Sequence, residues 1–400
     1  MKPLNSKKTT SWKLAGALLA TGLFAQSAQA LTYEYPTVYK DVRVLSMGGA
    51  NVAVGGGNSA VFTNPAGLTR MDQGVTVDLL PLNIVLGQNI SDFASDMIDV
   101  SDMPSNTQAE EDAKEEAYLQ VMKDYRGKNI HFGFDSHTAV GWRGNNRWMP
   151  ENDNLAISIG ALASVTSNFR THQGYGSDGL LEVDARTLAG GVFGAAYQRD
   201  DIHVGAAVKV LSMGRLNEAY TTTDIMDISD ETRNFDDDLQ TASAVGLDAG
   251  VMYDYMPDSA LRPTFGVSIL NIGGMDFGDA GEIPMTVNVG ASIRPQGNFA
   301  NGYFNDKVTF AFDYVDLLNG YEQDSDIMKR TRVGGELLVW NHTLSSLALR
   351  AGLYQGQYTA GFDLRLAVVS IGFATYAEEV GAYAGQDPDR RFLATFRINW

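Results

Sequence analysis

Side chains that commonly carry catalysis or bind metals are few in this chain. It has no cysteine, its five histidines show no metal-ligand spacing, and it contains no Gly-x-Ser-x-Gly segment. A stretch from Gly55 to Ala60 matches a loose dinucleotide-binding pattern, but Asn64-Pro65 interrupts the helix that such a site requires. The sequence therefore predicts no enzyme, no metal and no cofactor. An active site assembled across strands is the alternative that this pattern leaves open.

The charged side chains are mostly acidic, with 48 Asp and Glu against 30 Lys and Arg and a formal net charge of −18. This excess disfavours a broad phosphate-binding surface, so we expect no nucleic-acid partner. Two acidic runs, Glu110-Glu111-Asp112 and Asp236-Asp237-Asp238, could bind Ca²⁺ or Mg²⁺. Runs without a fixed ligand spacing are usually just solvated, and we favour that interpretation.

Apolar and polar residues alternate with period two along much of the chain. This alternation predicts that the elements that position the side chains are β-strands. From Met285 to Ile293 one face is wholly apolar, and the other carries Thr, Asn, Gly and Ser. An even number of such strands, with short antiparallel connections, is typical of a transmembrane β-barrel with lipid outside and water inside. We therefore predict an all-β fold, an antiparallel barrel of about 14 strands over residues 74–400, with a soluble β-sandwich as the alternative. The predicted strands are 74–89, 129–143, 154–169, 180–199, 202–221, 240–256, 262–273, 285–295, 306–316, 330–340, 344–354, 357–366, 368–378 and 391–400.

The polar faces of these strands carry charged side chains that would point into the barrel lumen. They either pair with one another or line a path for a solute. We favour pairing, because an unpaired charge that is removed from water is costly. The residues are Lys209, Asp248, Arg294, Asp313, Arg332, Glu336, Arg350, Asp363, Arg365 and Arg397.

The connections predict how the barrel is oriented. If both termini face the periplasm, the long acidic connections 90–128, 222–239, 317–329 and 379–390 lie outside the cell and the short turns lie in the periplasm. Trp142, Trp340 and Trp400 then fall at periplasmic strand ends, as in an aromatic girdle. Within the first long loop, residues 108–123 predict an amphipathic helix that either captures a hydrophobic solute or packs as a lid.

The last strand ends the chain on an aromatic residue. Its apolar face is expected to act as the signal that the barrel-assembly machinery recognises. The residues of this face that we assign to the signal are Phe392, Phe396, Ile398 and Trp400.

The N-terminus predicts export. Lysines up to Lys13 precede an apolar stretch from Leu14 to Ala25, and Ala28-Gln29-Ala30 has the small-x-small pattern of a cleavage site. We predict a cleaved signal peptide over residues 1–30. A membrane-anchoring helix, the alternative, needs about 20 apolar residues, and this stretch is shorter.

Residues 31–73 do not alternate, and their motifs carry a family resemblance. Arg43 is followed by Met47-Gly48-Gly49 and then by Asn64-Pro65-Ala66-Gly67, just ahead of the first strand. This layout resembles the N-terminal segment of FadL-type outer-membrane proteins, the long-chain fatty acid transporter superfamily, and more narrowly the branch labelled conjugal transfer TraF-like. The resemblance is specific over about residues 40–70. It implies that residues 31–73 form a plug, or hatch, inside a 14-stranded barrel and that these motif residues lie on the plug and ligand path.

The resemblance also implies the function. We expect passive uptake or capture of small hydrophobic molecules such as fatty acids across the outer membrane of a Gram-negative bacterium, with outer-membrane lipid around the barrel. The alternative is a non-transporting barrel that acts as a docking or assembly component in conjugation or secretion. A tightly paired lumen without an acyl-shaped pocket would favour docking, whereas an apolar cavity that reaches the plug would favour transport.

Overall fold

The computed structural model describes residues 34–35, 37–145, 153–172, 180–221, 224, 239–296, 305–321 and 326–400. The predicted signal peptide at 1–30, most of the predicted loop 222–239 and the run Asp236-Asp237-Asp238 lie outside these residues. Among the described residues, no helix has both the length and the apolar character needed to cross a membrane.

Fourteen antiparallel strands form a closed barrel, which confirms the predicted fold. Consecutive barrel strands are neighbours throughout, and the last strand also pairs with the first, so the sheet has no free edge. The barrel strands are β1 Gly74–Gly87, β2 Asn129–Gly144, β3 Asn154–His172, β4 Leu180–Arg199, β5 Ile202–Thr221, β6 Gln240–Asp254, β7 Thr264–Leu270, β10 Thr286–Ile293, β11 Val308–Tyr314, β12 Thr331–His342, β13 Ser345–Tyr354, β14 Gln357–Leu366, β15 Val369–Glu379 and β16 Pro388–Asn399.

Two strands lie outside the barrel and were not predicted. They are β8 Met275–Asp276 and β9 Glu282–Ile283, which pair in a small hairpin between β7 and β10. The predicted strand 262–273 ends early, at Leu270, because Asn271 has a positive φ of 53° and Gly273 and Gly274 follow with φ of 84° and 80°.

The alternation that predicted the strands separates two surfaces. Along β6, Val245, Leu247 and Val251 point outward and are about half exposed, whereas Asp248 points inward and is buried. Exposed apolar side chains on the outer face of a closed barrel are the arrangement that a lipid-facing surface requires.

The two ends of the barrel differ. The turn end holds the tight connections, such as Asp200-Asp201 between β4 and β5. Trp142, Trp340 and Trp400 all lie at this end, since Trp142 pairs with Val75 at the start of β1 and Trp400 bonds to Val77. The opposite end, here the loop end, carries the connection between β1 and β2.

That connection contains two helices, Ile90–Ser101 and Gln108–Asp124. The second corresponds to the helix predicted over 108–123. Both pack on the loop ends of β2 to β5, with Met97 and Tyr118 buried in one apolar cluster together with Phe169 and Leu181. The helices therefore cover one side of the barrel mouth, which is the lid arrangement of the two that the sequence allowed.

The N-terminal segment, described here as residues 34–35 and 37–73, lies inside the ring of strands. It contains a short helix Val42–Ser46 and two 3₁₀ turns, Asn58–Phe62 and Pro65–Arg70. The helix contacts β13 to β16 and the second turn contacts β3 to β6, on the other side of the ring. Contact with strands on opposite sides places the segment within the barrel.

Candidate functional site

The inner wall of the barrel fits closely around the N-terminal segment because glycines replace side chains at the contacts. A Cβ added at Gly205 would collide with the backbone of Pro65 and Ala66, and one at Gly334 would collide with the backbone of Met47. Nine of the fourteen barrel strands contribute such a glycine, at which a Cβ would lie closer than 3.0 Å to the segment. These are Gly141, Gly194, Gly205, Gly250, Gly266, Gly290, Gly334, Gly352 and Gly361.

Asn64 connects the segment to itself and to the wall. Its side-chain oxygen accepts a hydrogen bond from the Ala66 N–H at 3.1 Å and so caps the second 3₁₀ turn. Its amide nitrogen donates to the Val52 carbonyl at 2.8 Å and to the Val251 carbonyl at 3.3 Å, on β6. Asn64 is fully buried, so one side chain satisfies several backbone groups that water cannot reach.

Asp313, on β11, holds the middle of the segment. Its Oδ2 accepts hydrogen bonds from the N–H groups of Asn51 at 2.6 Å and Val52 at 2.8 Å. Its other oxygen, Oδ1, has no hydrogen-bond partner among the described residues. Asp313 is completely buried, so this carboxylate is only half satisfied.

Arg43 joins the segment to an ion-pair group on the wall. It donates to both carboxylate oxygens of Glu336 at 2.9 Å and to the Gly55 carbonyl at 2.9 Å. Arg350 donates to the same carboxylate at 2.6 Å. The adjacent Glu336 carboxylate raises the pKa of Arg43, whose guanidinium therefore stays charged.

The other predicted lumen charges form pairs or bind backbone. Lys209 contacts Asp248 at 3.0 Å, and both are buried. Arg397 pairs with Asp363. Arg294 donates to the Val54 carbonyl of the segment at 2.8 Å.

Two predicted lumen arginines instead serve the ends of the barrel. Arg332 donates to the Lys329 carbonyl at 2.8 Å and stacks on the Tyr354 ring at 4.1 Å. Arg365 is bonded to the His342 carbonyl at 3.3 Å, at the turn end. Mutual pairing thus accounts for part of the predicted set, and attachment of the segment and of loop backbone accounts for the rest.

A second ionic group, absent from the sequence predictions, holds the beginning of the segment. Arg391 on β16 donates to both oxygens of Glu34 at 2.8 and 3.0 Å, and Lys40 contacts Glu34 at 2.8 Å. Arg391 also binds Asp389 at 2.8 Å. Burial alone would raise the pKa of Glu34, but Arg391 and Lys40 hold it well below its ordinary value. Glu34 is therefore a buried anion whose two oxygens both have cationic partners.

The end of the segment is held at the turn end. Arg70 pairs with Asp254, and Asp254 also contacts His203 Nε2 at 3.1 Å. His203 Nδ1 lies 2.7 Å from the Thr69 hydroxyl. The hydroxyl, ring and carboxylate all lie between the segment and the wall, and the cluster joins the segment to β5 and β6.

A cavity of about 170 Å³ lies at the loop end, between the segment and β7, β10, β11, β12 and β13. Five aromatic side chains contribute to its lining, together with aliphatic, polar and charged residues. Tyr39 and Phe62 lie 5.1 Å apart between ring centroids, and Tyr35 and Tyr321 lie 4.5 Å apart in an edge-to-face arrangement. Asp313 and Arg332 also reach it.

The predicted ligand-path residues are mostly wall contacts rather than cavity lining. Only Gly49 of that group lines the cavity. Met47 and Gly48 lie against β12 and β13. Asn64 and Pro65 lie against β5 and β6, together with Ala66, whereas Gly67 packs on Gly55 within the segment. The cavity aromatics were missed, although Tyr33, Tyr35 and Tyr39 in a stretch of seven residues are a signal that the sequence contains.

The predicted assembly-signal residues are placed on the outside of the barrel. Phe392, Phe396 and Trp400 are 41%, 42% and 58% exposed, and Ile398 is half-buried on the same strand. The acidic run Glu110-Glu111-Asp112 lies near the start of the second lid helix, where Glu110 is part of a capping box with Thr107. Among the described residues, no group of His, Cys, Asp and Glu could hold a metal ion.

Comparison with known proteins finds similarity in structure only. No family model and no curated protein matches the sequence. The Ralstonia pickettii toluene transporter TbuX has a TM-score of 0.52 and 14% identity, over 91% of this chain and 98% of that one. The CymD monoaromatic hydrocarbon channel has a TM-score of 0.49 and 14% identity over the same shares, 91% and 98%. A Pseudomonas aeruginosa FadL homologue has a TM-score of 0.34 and 10% identity, over 92% and 98%.

At these identities the likeness to TbuX establishes the fold. By their names, these three proteins are a toluene transporter, a monoaromatic hydrocarbon channel and a FadL homologue. The narrower TraF-like branch stays a prediction.

Proposed function

We propose that this chain is an outer-membrane barrel of a Gram-negative bacterium that takes up or captures small hydrophobic molecules without an energy source. The N-terminal segment would be its plug, the loop end would face outward and the turn end would face the periplasm. The observation that carries the proposal is the aromatic-lined cavity of about 170 Å³, which touches Leu45 and Phe62 of the segment. An apolar cavity of about 150 Å³ is large enough to hold benzene.

The cavity size favours one class of solute. A single small ring would fill it, whereas a long acyl chain would extend beyond it. We therefore narrow the expected solutes from fatty acids in general to small aromatic or short aliphatic molecules.

We infer that release requires the segment to move, because the wall lies against the segment at nine glycines. This step can be tested, since the chain has no native cysteine. A Cβ at Gly194 would lie 3.8 Å from the Val61 Cβ, and disulfides span about 3.5–4.5 Å between Cβ atoms. The double variant Val61→Cys, Gly194→Cys would tether the segment to β4.

We expect oxidised cells bearing this variant to take up radiolabelled toluene no faster than cells without the barrel, and reduction to restore uptake. Val61→Cys alone is the matched control, which should not respond to oxidation. Equal uptake by the oxidised and reduced double variant, with the disulfide verified by mass, would refute a moving plug.

The docking alternative also has an observation in its favour. Arg43, Glu336 and Arg350, together with the Glu34–Arg391 group, fix the segment to the wall through buried ion pairs, as a static scaffold would be fixed. If the wild-type barrel binds no hydrophobic solute and cells bearing it show no added uptake, the docking function becomes the better proposal.

A further inference from the structure

The β8–β9 hairpin, with its two ends covering residues 271–285, is not part of the barrel sheet, but it folds into the lumen. Its side chains Met275, Phe277 and Ile283 are completely buried. They belong to one apolar cluster with inward-facing side chains of β4 and β5 and of the N-terminal segment. A Cβ added at Gly246, on the inner face of β6, would lie 2.5 Å from Met275 Sδ. The hairpin therefore fills apolar space inside the barrel that is otherwise open to a ligand.

A group of buried polar side chains holds the base of the hairpin against the wall. Asn271 accepts a hydrogen bond from Lys209 Nζ at 2.6 Å, and its backbone N–H donates to Asp248 Oδ1 at 2.7 Å. The Asn271 amide donates to the Pro284 carbonyl at 3.4 Å, which ties the two ends of the hairpin together. The Lys209–Asp248 pair thus does more than neutralise two lumen charges, because it also fixes the position of the hairpin.

Ile283 lies at the boundary between this apolar cluster and the cavity. It is one of the residues around the cavity, and it also belongs to the cluster behind the hairpin. Because its side chain is completely buried, Ile283 forms the wall of the cavity here and is not a group that a ligand reaches. Truncation of a buried side chain leaves a void where the neighbours do not collapse, and apolar voids bind apolar molecules. A void at Ile283 would therefore extend the cavity.

Building on the proposed function, we propose that the β8–β9 hairpin sets, through Ile283, the length of the solute that the cavity accepts. With the Ile283 side chain in place, the cavity of about 170 Å³ holds a single ring, and a longer alkyl chain meets the hairpin. Without that side chain the cavity extends into the apolar cluster and accepts a ring with a longer chain. Ile283 is then a residue that determines specificity by limiting size.

The test measures equilibrium binding of the series from toluene to n-butylbenzene to the refolded barrel in detergent. In wild type, the affinity should stop rising with chain length once the cavity is full. Ile283→Ala removes three carbon atoms at the boundary. It should bind n-butylbenzene roughly tenfold more tightly than wild type does, as expected when two further methylene groups are buried. Its affinity for toluene should change less than about threefold.

Leu188→Ala is the matched control. It also removes three carbon atoms from the same apolar cluster, but Leu188 lies on β4 and is not among the described residues that line the cavity. Its dependence of affinity on chain length should follow that of wild type. An unchanged dependence in folded Ile283→Ala would overturn the proposal. An equal gain in both variants would also overturn it, because general loosening of the core would then explain the result.

Ile283→Val covers the case in which Ile283→Ala does not fold. It removes one carbon atom, so the gain for n-butylbenzene should have the same direction and be roughly threefold. No gain in folded Ile283→Val would again overturn the proposal. A wild-type barrel that binds no member of the series would overturn the proposed capture function itself. Binding of toluene with an unchanged dependence on chain length would overturn only this inference.

Discussion

Asn64 shows how one side chain can hold an irregular segment in place. It caps its own turn through the oxygen and reaches the Val52 and Val251 carbonyls through the nitrogen. A side chain that had only an acceptor or only a donor could not do both. The short turn that begins at Pro65 is thereby capped, and the buried Val52 and Val251 carbonyls gain a donor.

Asn64→Ala should lower the free energy of unfolding by about 1–3 kcal/mol, because buried carbonyls lose their donors. Urea unfolding of the refolded barrel measures this loss, and planar-bilayer recording of the Asn64→Ala, Pro65→Ala variant should show raised conductance. Asn64→Asp is the matched variant. It keeps the acceptor for Ala66 but places a carboxylate against carbonyls, so it should be at least as unstable as Asn64→Ala. A fully stable, closed Asn64→Ala barrel would contradict this role.

The ion pairs of Glu34 predict that the stability of the barrel falls in acid. The pKa of Glu34 is held below its ordinary 4.5, so the stability from this group is present above pH 4.5 and is lost as the pH falls below it. The pKa of Lys40 is raised above its ordinary 10.5, mainly by Glu34 acting against the effect of burial. Stability from Lys40 is therefore complete below pH 10.5 and declines only above it.

Thermal unfolding measured as a function of pH tests the predicted loss of stability in acid. Glu34→Gln should be less stable than wild type at neutral pH and should lose less stability on acidification. Asp99→Asn, on an exposed position of the first lid helix, should follow the wild-type curve. Parallel curves for wild type and Glu34→Gln would show that Glu34 does not contribute to acid sensitivity.

Individual residues could be predicted from the sequence only where they belong to a local motif or to an alternating strand. Arg43 and Asn64 were identified by motif, and the inward charges by their place in alternating strands. Glu34 and Arg391 were not found, because their pairing joins positions at opposite ends of the chain and no local pattern encodes it. The unpaired oxygen of Asp313 was equally hidden, since it depends on where Asn51 and Val52 meet β11.

At the scale of elements, strands were predictable because period two is imposed by the pleat itself. Boundaries such as Leu180–Arg199 and Ile202–Thr221 were predicted without error. The β8–β9 hairpin and the helix Val42–Ser46 were missed, since elements of two to five residues are too short to show a period. The helix Ile90–Ser101 was also missed, although Phe93, Met97 and Val100 recur at helical spacing and form its buried face.

The last strand, β16, is predicted to be the element that the barrel-assembly machinery recognises. If β16 is recognised by the barrel-assembly machinery through its outward aromatics, Trp400→Ala should reduce the amount of folded barrel in the outer membrane while leaving refolding in detergent unchanged. Heat-modifiable migration on gels measures both quantities. Trp142→Ala, at the same end of the barrel but far from the C-terminus, is the control. An equal loss in both variants would point to a general girdle effect.

At the scale of the whole molecule, the strands on the two sides of the barrel differ in length. Strands β4 and β5 each have 20 residues, whereas β7 and β11 each have 7. The lid helices lie on the tall side, and the cavity lies against the low strands β7, β10 and β11. The shape therefore leaves the cavity on the side of the mouth that the lid helices do not cover.

The glycine-lined wall has a consequence for how this barrel comes into being. Glycine backbone of nine barrel strands lies against the N-terminal segment, so we expect the segment to be in place before the ring closes. The N-terminal segment is synthesised before any strand. We expect it to serve as the template around which the sheet closes, and we expect β1 and β16 to pair last. A chain that lacks this segment should stall as an open, unfinished sheet.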